Sequence, residues 1–382
     1  MSIFAFAEVE EGRAKGIFAG ARYPSKQEGN ILYDCDNRVD LKYADELPLK
    51  LNKFYSVVAF RPSHIYLSRD VLGGKPLYYS QSLSFSSFEY YFEDNFQEVK
   101  PGEVVKLDYE GNVIERKRYT FEDVFDVHEV DTDVDQVKER IAKLLEGYDA
   151  TGCIAFSGGL DSSLLASIYD LSLVSVTASD EEEKWLRKSA KMIGRDIEIR
   201  RFDLDDLVEV TRKVSRAIES TNPVQVSIGI PIYLTMEFAK SLGYDSIVFG
   251  QGADELFGGY MKYLKAGHDE MKEEMLKDVR EIGKNNLVRD AKISYKNEIK
   301  LQTPYLQWDL IKLALSIPAE LKVRDGIRKY ILREVALDFL PEEIAKREKK
   351  AIQYSTKASA MLKKLARKKN MNVKEFIEML NS

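Results

Sequence analysis

The run CIAFSGGLDSS at positions 153–163 constrains the fold more than any other part of this chain. An apolar segment ends in a Ser-Gly-Gly turn, and a helix-forming segment follows at once. A helix that begins directly after a strand presents unpaired backbone N–H groups at its positive end, which suits a bound anion. Asp161 would repel a bare phosphate, so the pattern predicts a phosphate group together with Mg²⁺.

The same residues have a second interpretation. A glycine-rich turn in which Ser157 caps the following helix needs no ligand at all. The loop also differs from a Walker-A loop, because no Gly-Lys-Ser/Thr follows it. From composition alone, both interpretations stay open.

Segments around this loop alternate between strand-like and helix-like composition. This order predicts an α/β region, with a parallel sheet covered by helices on both faces and a helix-rich stretch from 260 to the end. The helix-like segments are 136–146, 162–170, 181–193, 206–218 and 229–242, and the strand-like segments are 152–156, 172–177, 197–202 and 245–249.

The first part of the chain has a different composition. Residues 1–119 are β-rich, with strand-like runs at 54–60, 65–68 and 103–107 that are separated by Gly, Pro and Asn. Residues 120–135 contain seven acidic residues and no Lys or Arg, which is typical of a linker. We therefore expect two domains, at 1–126 and 127–382, the first a smaller β-rich α+β domain.

Charge and cysteine content exclude several classes of protein. The 57 Lys and Arg residues are outnumbered by 63 Asp and Glu, which argues against a nucleic-acid partner. Two cysteines and three isolated histidines form no disulfide framework, zinc motif or histidine-based triad. The N-terminus has no signal-peptide pattern, and no stretch approaches the roughly 18 apolar residues of a membrane span. The expected location is the cytoplasm.

Three separated motifs resemble one known family. SGGLDSS resembles the pyrophosphate-loop signature of ATP pyrophosphatases, which cleave ATP to AMP and pyrophosphate. FGQGADELFGGY at 249–260 resembles the GEGADELFGGY element of asparagine synthetases. GIRKYILR at 326–333, with PEEIAKREK at 341–349, is similar to the K-x-x-L-R…L-P…R-x-K tail of that family.

The resemblance extends to the N-terminal region. RDVLGGKPLYY at 69–79 looks like a segment of the family's glutaminase domain, a class II glutamine amidotransferase with an N-terminal nucleophile. That domain begins with a cysteine after the initiator methionine, whereas this chain has Ser2. The resemblance thus implies a degenerate glutaminase-like scaffold, with ammonia supplied from outside, for example by a separate glutaminase. Ser2 as a nucleophile stays an alternative.

The resemblance implies an ATP- and Mg²⁺-dependent enzyme that activates aspartate as an acyl-adenylate and then amidates it with ammonia. The expected metal ligands are Asp161 and Asp254, the expected catalytic residues are Lys349, Lys329 and Glu255, and Glu219 is the expected substrate contact. The expected ATP-binding residues are Ala155, Ser157, Gly158, Gly159, Asp161, Ser162, Ser163, Val176, Phe249 and Gly250.

Departures from the family pattern leave the substrate open. Gln251 replaces a glutamate proposed to deprotonate the attacking ammonium, and a neutral amide cannot act as a base. Lys300, Gln302 and Gln307 also stand where the family has other residues. The alternatives are an adenylating ligase for a different acid or amine, and a nucleotide-binding homologue without catalysis. We expect a homo-oligomer in either case.

Overall fold

The computed structural model describes residues 2–10, 13–126, 128, 133–265, 267–347 and 356–381. It divides into two compact units. The first comprises Met1–Asp126 together with Arg280–Glu298, and the second comprises Val127–Val279 together with Ile299–Ser382. No helix within the described ranges is both long enough and apolar enough to cross a membrane.

The elements are numbered along the chain. The strands are β1 Ile3–Glu10, β2 Arg13–Ala21, β3 Lys26–Glu28, β4 Ile31–Asp34, β5 Ser56–Phe60, β6 Ile65–Arg69, β7 Tyr78–Ser80, β8 Ser84–Ser86, β9 Phe96–Glu98, β10 Glu103–Leu107, β11 Val113–Arg118, β12 Cys153–Ala155, β13 Ser172–Thr177, β14 Ile197–Arg201, β15 Ser246–Val248, β16 Lys300–Gln302, β17 Val323–Arg324 and β18 Ile327–Arg328. The helices are α1 Leu47–Lys50, α2 Val134–Glu146, α3 Leu160–Ile168, α4 Asp180–Met192, α5 Leu204–Ile218, α6 Pro223–Ser241, α7 Ala253–Phe257, α8 His268–Ile282, α9 Val288–Asn297, α10 Trp308–Ser316, α11 Ala319–Lys322, α12 Tyr330–Leu337, α13 Glu342–Ala345, α14 Ala358–Lys368 and α15 Val373–Asn381.

The first unit contains two antiparallel sheets. One has five strands in the order β2-β1-β8-β7-β9, and the other has six in the order β11-β10-β6-β5-β4-β3. Alternation along β1 sets the faces: Ile3, Ala5 and Ala7 are buried, whereas Phe6 between them is 38% exposed. The buried face joins residues of both sheets, such as Val58 and Phe85, in one core cluster.

A segment from the middle of the chain belongs to this first unit. Tyr295 of α9 donates a hydrogen bond to Asp34, whose carboxylate also lies 3.2 Å from the Lys75 ammonium. The Tyr295 ring packs edge-on against Phe88, with 6.0 Å between ring centres. The units are therefore not two continuous halves of the chain, and the division at residue 126 into functional domains stays a prediction.

The second unit is built on a five-stranded sheet with the order β14-β13-β12-β15-β16, in which every neighbouring pair is parallel. Helix α3 packs on β12, α6 on β13 and α4 on β14. The predicted general layout, a parallel α/β region beside an antiparallel β-rich N-terminal region, is confirmed.

A comparison of the predicted segments with the observed elements shows that the sequence analysis missed strand β16. Residues 172–177 form a strand as expected, and the expected helices at 206–218 and 181–193 correspond to α5 and α4. The sequence indicated mainly helix from residue 260 onward, whereas Lys300–Gln302 adds a fifth parallel strand beside β15. Three residues that alternate polar and apolar side chains are too short a pattern to distinguish from a loop.

Candidate active site

The sheet order creates a crevice at the carboxyl end of β12. From β12 the chain continues to β13 and β14 on one side, whereas β15 and β16 lie on the other side. The connections after β12 and β15 therefore diverge, and ligands of open α/β sheets bind at such a switch point. The two motifs singled out in the sequence follow these two neighbouring strands.

Two serines, one in the loop after β12 and one in the first turn of α3, are hydrogen-bonded to each other. The Ser157 amide donates to the Ser162 hydroxyl at 3.0 Å, and the two hydroxyl oxygens are also 3.0 Å apart. Gly158 has φ +61°, a conformation that favours glycine, and Gly159 precedes α3 without a side-chain cap. Ser163 is fully buried, and its hydroxyl has no hydrogen-bond partner among the described residues.

The loop after β15 repeats this arrangement. Gly252, with φ +94°, precedes α7 without a side-chain cap, and a Cβ there would lie 2.3 Å from Leu306. Asp254 is then the second residue of α7, as Asp161 is the second residue of α3. Two strand-to-helix turns thus present one aspartate each at a helix N-terminus, where a negative side chain is favoured.

Lys329 joins these two aspartates. Its ammonium nitrogen lies 2.6 Å from Oδ1 of Asp161 and 2.8 Å from Oδ1 of Asp254. The side chain is almost fully buried, and the backbone of Lys329 has φ +57°, which is uncommon for a residue other than glycine. Gly259 makes room for the group, because a Cβ there would lie 1.9 Å from Oδ1 of Asp254.

The donor atoms around this position suit Mg²⁺. Two carboxylates converge on one buried cation position, and Mg²⁺ typically takes one or two protein carboxylates together with substrate phosphates. Across the described ranges no group of three or more His, Cys, Asp or Glu side chains could hold a metal ion by itself. Asp161 and Asp254 would therefore hold Mg²⁺ jointly with a phosphate-bearing ligand.

The residues expected to hold adenosine lie at or just after the carboxyl ends of three neighbouring strands. Ala155 ends β12, Val176 is the penultimate residue of β13, and Phe249 follows β15. The Phe249 amide donates to the Gln302 carbonyl at 2.9 Å, which extends the sheet by one residue. A Cβ on Gly250 would lie 3.0 Å from Cβ of Asp161, so this backbone passes directly beside the metal-ligand candidate.

The other expected catalytic and substrate residues are distributed differently. Glu255 is buried, accepts a hydrogen bond from Tyr260 at 2.5 Å, and lines a pocket with Met275 and Lys322. Glu219 ends α5 in a left-handed conformation and is half-buried. Lys349 lies outside the described residues, so its role stays a prediction.

The structure adds residues to which the sequence gave no role. The Trp185 indole N–H of α4 donates to the Gly158 carbonyl at 2.9 Å, and Arg347 Nη1 donates to the same oxygen at 3.1 Å. The Arg347 guanidinium also lies 4.0 Å from the centre of the Trp185 ring. Burial lowers the pKa of Arg347, although the nearby Glu182 raises it. One signal was visible: Arg347 belongs to the R-x-K motif.

Arg333 anchors the same end of the chain. Its guanidinium donates to the Ala345 carbonyl at 2.6 Å and to the Arg347 carbonyl at 3.2 Å. The residues that lead to Lys349 are therefore tied to α12 by Arg333 and to the loop after β12 by Arg347. The fixed arginine fork suits several carbonyl acceptors at once.

Tyr305 holds the backbone of Asp161 in place through a hydrogen bond. Its hydroxyl donates to the Asp161 carbonyl at 3.0 Å, and burial raises the pKa of Tyr305 well above its ordinary value, so this donor keeps its proton. Nearby, Gln302 exchanges two hydrogen bonds with the Thr151 backbone, and Gln307 donates to the Leu144 carbonyl at 2.9 Å. These two glutamines hold the scaffold around the site.

The fold and site together define a class. The protein has an α/β unit in which the switch point of a parallel sheet presents a Ser-Gly-Gly loop and two aspartates around a buried ammonium. The family model described as asparagine synthase matches residues 136–269 and 262–372. The chain belongs to the asparagine synthase family.

Individual relatives agree with this assignment. The chain is 30% identical to "Putative asparagine synthetase (glutamine-hydrolyzing) 1" of Methanocaldococcus jannaschii, over 93% of this chain and 79% of that protein. It is 28% identical to the asparagine synthetase (glutamine-hydrolyzing) of Gallus gallus, over 59% of this chain and 44% of that protein. A Lotus japonicus asparagine synthetase is also 28% identical, over 51% and 38%. The chain therefore spans less than half of the chicken and Lotus proteins.

Proposed function

We propose that this protein is an ATP-dependent amide synthetase, a carbon–nitrogen ligase that activates aspartate and amidates it with ammonia. The observation that carries the proposal is the meeting of Asp161, Asp254 and Lys329 at the switch point of the parallel sheet. Membership of the asparagine synthase family supports the use of ATP, and relatives named as asparagine synthetases support aspartate as the acid.

The first step activates the acid. An oxygen of the substrate β-carboxylate attacks the α-phosphorus of ATP, the bond from that phosphorus to the α,β-bridging oxygen breaks, and pyrophosphate leaves with the bonding electrons. In the proposal, backbone N–H groups at the start of α3 and the hydroxyls of Ser157 and Ser162 bind phosphate oxygens. Mg²⁺ held by Asp161 and Asp254 would neutralise charge on those oxygens.

The second step forms the amide. The ammonia nitrogen attacks the acyl carbon of the adenylate, the bond from that carbon to the phosphate oxygen breaks, and AMP leaves while a proton passes to base or solvent. Gln251 cannot take this proton, and Glu255 is the buried carboxylate expected to substitute. In the proposal, Lys349 and Lys329 stabilise the charge that develops on the phosphate oxygens.

Ammonia is proposed to come from outside the chain. Ser2 is fully buried, its hydroxyl bonds to that of Ser25, and the Arg22 carbonyl lies 3.5 Å away. The two cysteines are also poor nucleophiles, because burial raises the pKa of Cys35 to about 11 and that of Cys153 to about 12. These observations support a glutaminase-like first unit retained as a scaffold.

ATP–pyrophosphate exchange across the standard amino acids tests the proposal, with Mg²⁺ present and with ammonium or glutamine as nitrogen source. Exchange stimulated by aspartate alone, with asparagine and AMP formed from ammonium, is the expected result. Exchange with another acid would indicate a different ligase. Gln251 favours that alternative, because its neutral amide stands where the resemblance implies a glutamate. ATP binding without exchange would indicate a non-catalytic homologue.

A further inference from the structure

The ammonium of Lys329 occupies the position between the two aspartates where a divalent cation would be held. Its nitrogen is within hydrogen-bonding distance of one carboxylate oxygen from Asp161 and one from Asp254. Both carboxylates and the ammonium are buried or nearly so, with 9%, 17% and 4% of their side chains exposed. Solvent therefore screens these contacts only weakly.

The charges at this position set a condition for metal binding. Summed over these three groups, two carboxylates and one ammonium leave one negative charge, so they attract a free divalent ion less strongly than the two carboxylates would without the ammonium. If the ion entered while the ammonium stayed, two cations would share two carboxylate oxygens and repel each other. Removal of the ammonium without another anion would leave a buried positive charge unpaired, which is costly.

A nucleotide changes this balance. Its triphosphate brings several negative charges to the N-terminus of α3, where Asp161 lies one residue inside the helix. The four-carbon stem of lysine is flexible and its three N–H donors rotate, so the ammonium can exchange a carboxylate for a phosphate oxygen without backbone movement. The carboxylate oxygens that the ammonium leaves can then bind the metal ion.

The backbone of Lys329 is consistent with a functional constraint. The residue is held at φ +57° at the start of α12, a conformation that costs free energy for a side chain other than glycine. Gly259 leaves the space in which Oδ1 of Asp254 and Cε of Lys329 approach each other. The contact between ammonium and carboxylates is thus built into two different loops.

We propose that Lys329 is an internal cation that keeps free divalent metal ions out of the Asp161–Asp254 site until a nucleotide displaces it. The inference rests on the proposed function for the identity of the nucleotide, and it assigns an order of binding to that site. Lys329 then acts twice, first as a counter-ion for the aspartates and afterwards as a contact for phosphate.

Binding of Mn²⁺ without any nucleotide tests this directly. Free Mn²⁺ is measured by electron paramagnetic resonance during titration of the wild type, Lys329→Met and the matched control Lys262→Met. Lys262 also binds two carboxylates, those of Glu274 and Asp278, but on the surface of the same unit. We expect one Mn²⁺ to bind Lys329→Met about tenfold or more tightly than the wild type, and the control to behave like the wild type.

Two further arms make the result specific. The double variant Lys329→Met/Asp254→Asn should lose the gained site, which separates it from adventitious binding to surface acids. In the wild type, α,β-methylene-ATP should produce one tight, protein-bound Mn²⁺ that depends on Asp254. Equal Mn²⁺ affinity in wild type and Lys329→Met, or no Asp254-dependent Mn²⁺ in any arm, overturns the inference.

Folding of the variant is controlled separately. Lys329→Met removes the ammonium from between two largely buried carboxylates, so its thermal transition and circular dichroism are measured first. Lys329→Gly removes the same charge and relieves the left-handed backbone, which provides a second variant. Tight, Asp254-dependent Mn²⁺ binding by the wild type without nucleotide overturns the inference without any Lys329 variant. These Mn²⁺ titrations use no acid substrate. They can therefore be interpreted even if the ATP–pyrophosphate exchange assay shows no activity.

Discussion

Both units bury polar side chains, but they use them differently. In the first unit Asp70 is fully buried and accepts hydrogen bonds from the amides of Tyr55, Leu72 and Gly74 at 3.0–3.2 Å. Arg69 beside it donates to the Val99 carbonyl at 2.9 Å and to a glutamate. Both side chains are bonded within the same unit, although the Arg69 Nε and the buried Ser56 hydroxyl have no hydrogen-bond partner among the described residues.

In the second unit several buried polar groups meet near the carboxyl ends of β12 and β15. Asp161 and Asp254 both contact the ammonium of Lys329, and the buried Ser163 hydroxyl has no hydrogen-bond partner among the described residues. The difference lies in the arrangement of the carboxylates. Asp70 is bonded to backbone amides, whereas Asp161 and Asp254 come from two separate strand-to-helix turns and meet at one ammonium, the arrangement that we propose for ligand binding.

The largest effect should come from Asp254. Asp254→Asn removes one of the two carboxylates that would hold Mg²⁺, so we expect ATP–pyrophosphate exchange to fall by about 10²-fold or more. The matched control is Asp309→Asn, which changes an exposed aspartate in the first turn of α10. Exchange at the wild-type rate in Asp254→Asn would show that this carboxylate binds no essential metal.

Asp70 provides the corresponding test in the first unit. Burial raises the pKa of Asp70 from 3.8 to about 6, so the folded state binds this proton more tightly than the unfolded state. Its contribution to stability is complete below about pH 4 and is lost as the pH rises through about 6. We expect the wild type to lose roughly 2–3 kcal/mol more stability than Asp70→Asn between pH 4 and pH 7.5, at about 1.4 kcal/mol per pKa unit.

Urea unfolding at both pH values measures this difference, because contributions from other groups cancel between wild type and variant. The exchange reaction of Asp70→Asn at pH 7.5 should stay close to that of the wild type. A pH-independent difference in stability would mean that the ionised carboxylate is fully compensated by its three amide donors.

A smaller effect is expected at Trp185. Trp185→Phe retains a ring for the Arg347 guanidinium but loses the N–H donor to the Gly158 carbonyl. We expect the KM for ATP to rise about tenfold, with kcat changed much less, because one hydrogen bond that shapes the phosphate loop is lost. Trp308→Phe in α10 is the control. Equal KM values for ATP in Trp185→Phe and Trp308→Phe would show that Trp185 does not contribute to nucleotide binding.

The sequence predicted the parts of the site that depend on local pattern. A strand followed by Ser-Gly-Gly and a helix can be recognised from eleven residues, and so can the glycines around Asp254. Both aspartates and Lys329 were named as site residues, and the structure brings the three together. Their assigned roles stay predictions until the variants are measured.

Contacts between residues that are distant in sequence could not be predicted from local sequence patterns. Trp185 and Arg347 are 162 positions apart in sequence and meet at one carbonyl. Nothing in the composition of α4 distinguishes Trp185 from an ordinary core aromatic. Likewise, Arg280–Glu298 reads as a continuation of a helical region, and its place in the first unit depends on tertiary contacts such as that of Tyr295 with Asp34.

Ser2 should show the smallest effect, and it tests the scaffold interpretation of the first unit most directly. Ser2→Ala removes one buried hydrogen bond to Ser25, so we expect a loss of about 1 kcal/mol in stability and unchanged ammonia-dependent synthesis. Ser2→Cys places a thiol at the position where the resemblance puts the glutaminase nucleophile. Because the side chain at this position is fully buried, glutamine should still not be hydrolysed. Glutaminase activity in the wild type that Ser2→Ala abolishes, or activity gained by Ser2→Cys, would show that the first unit retains a working site.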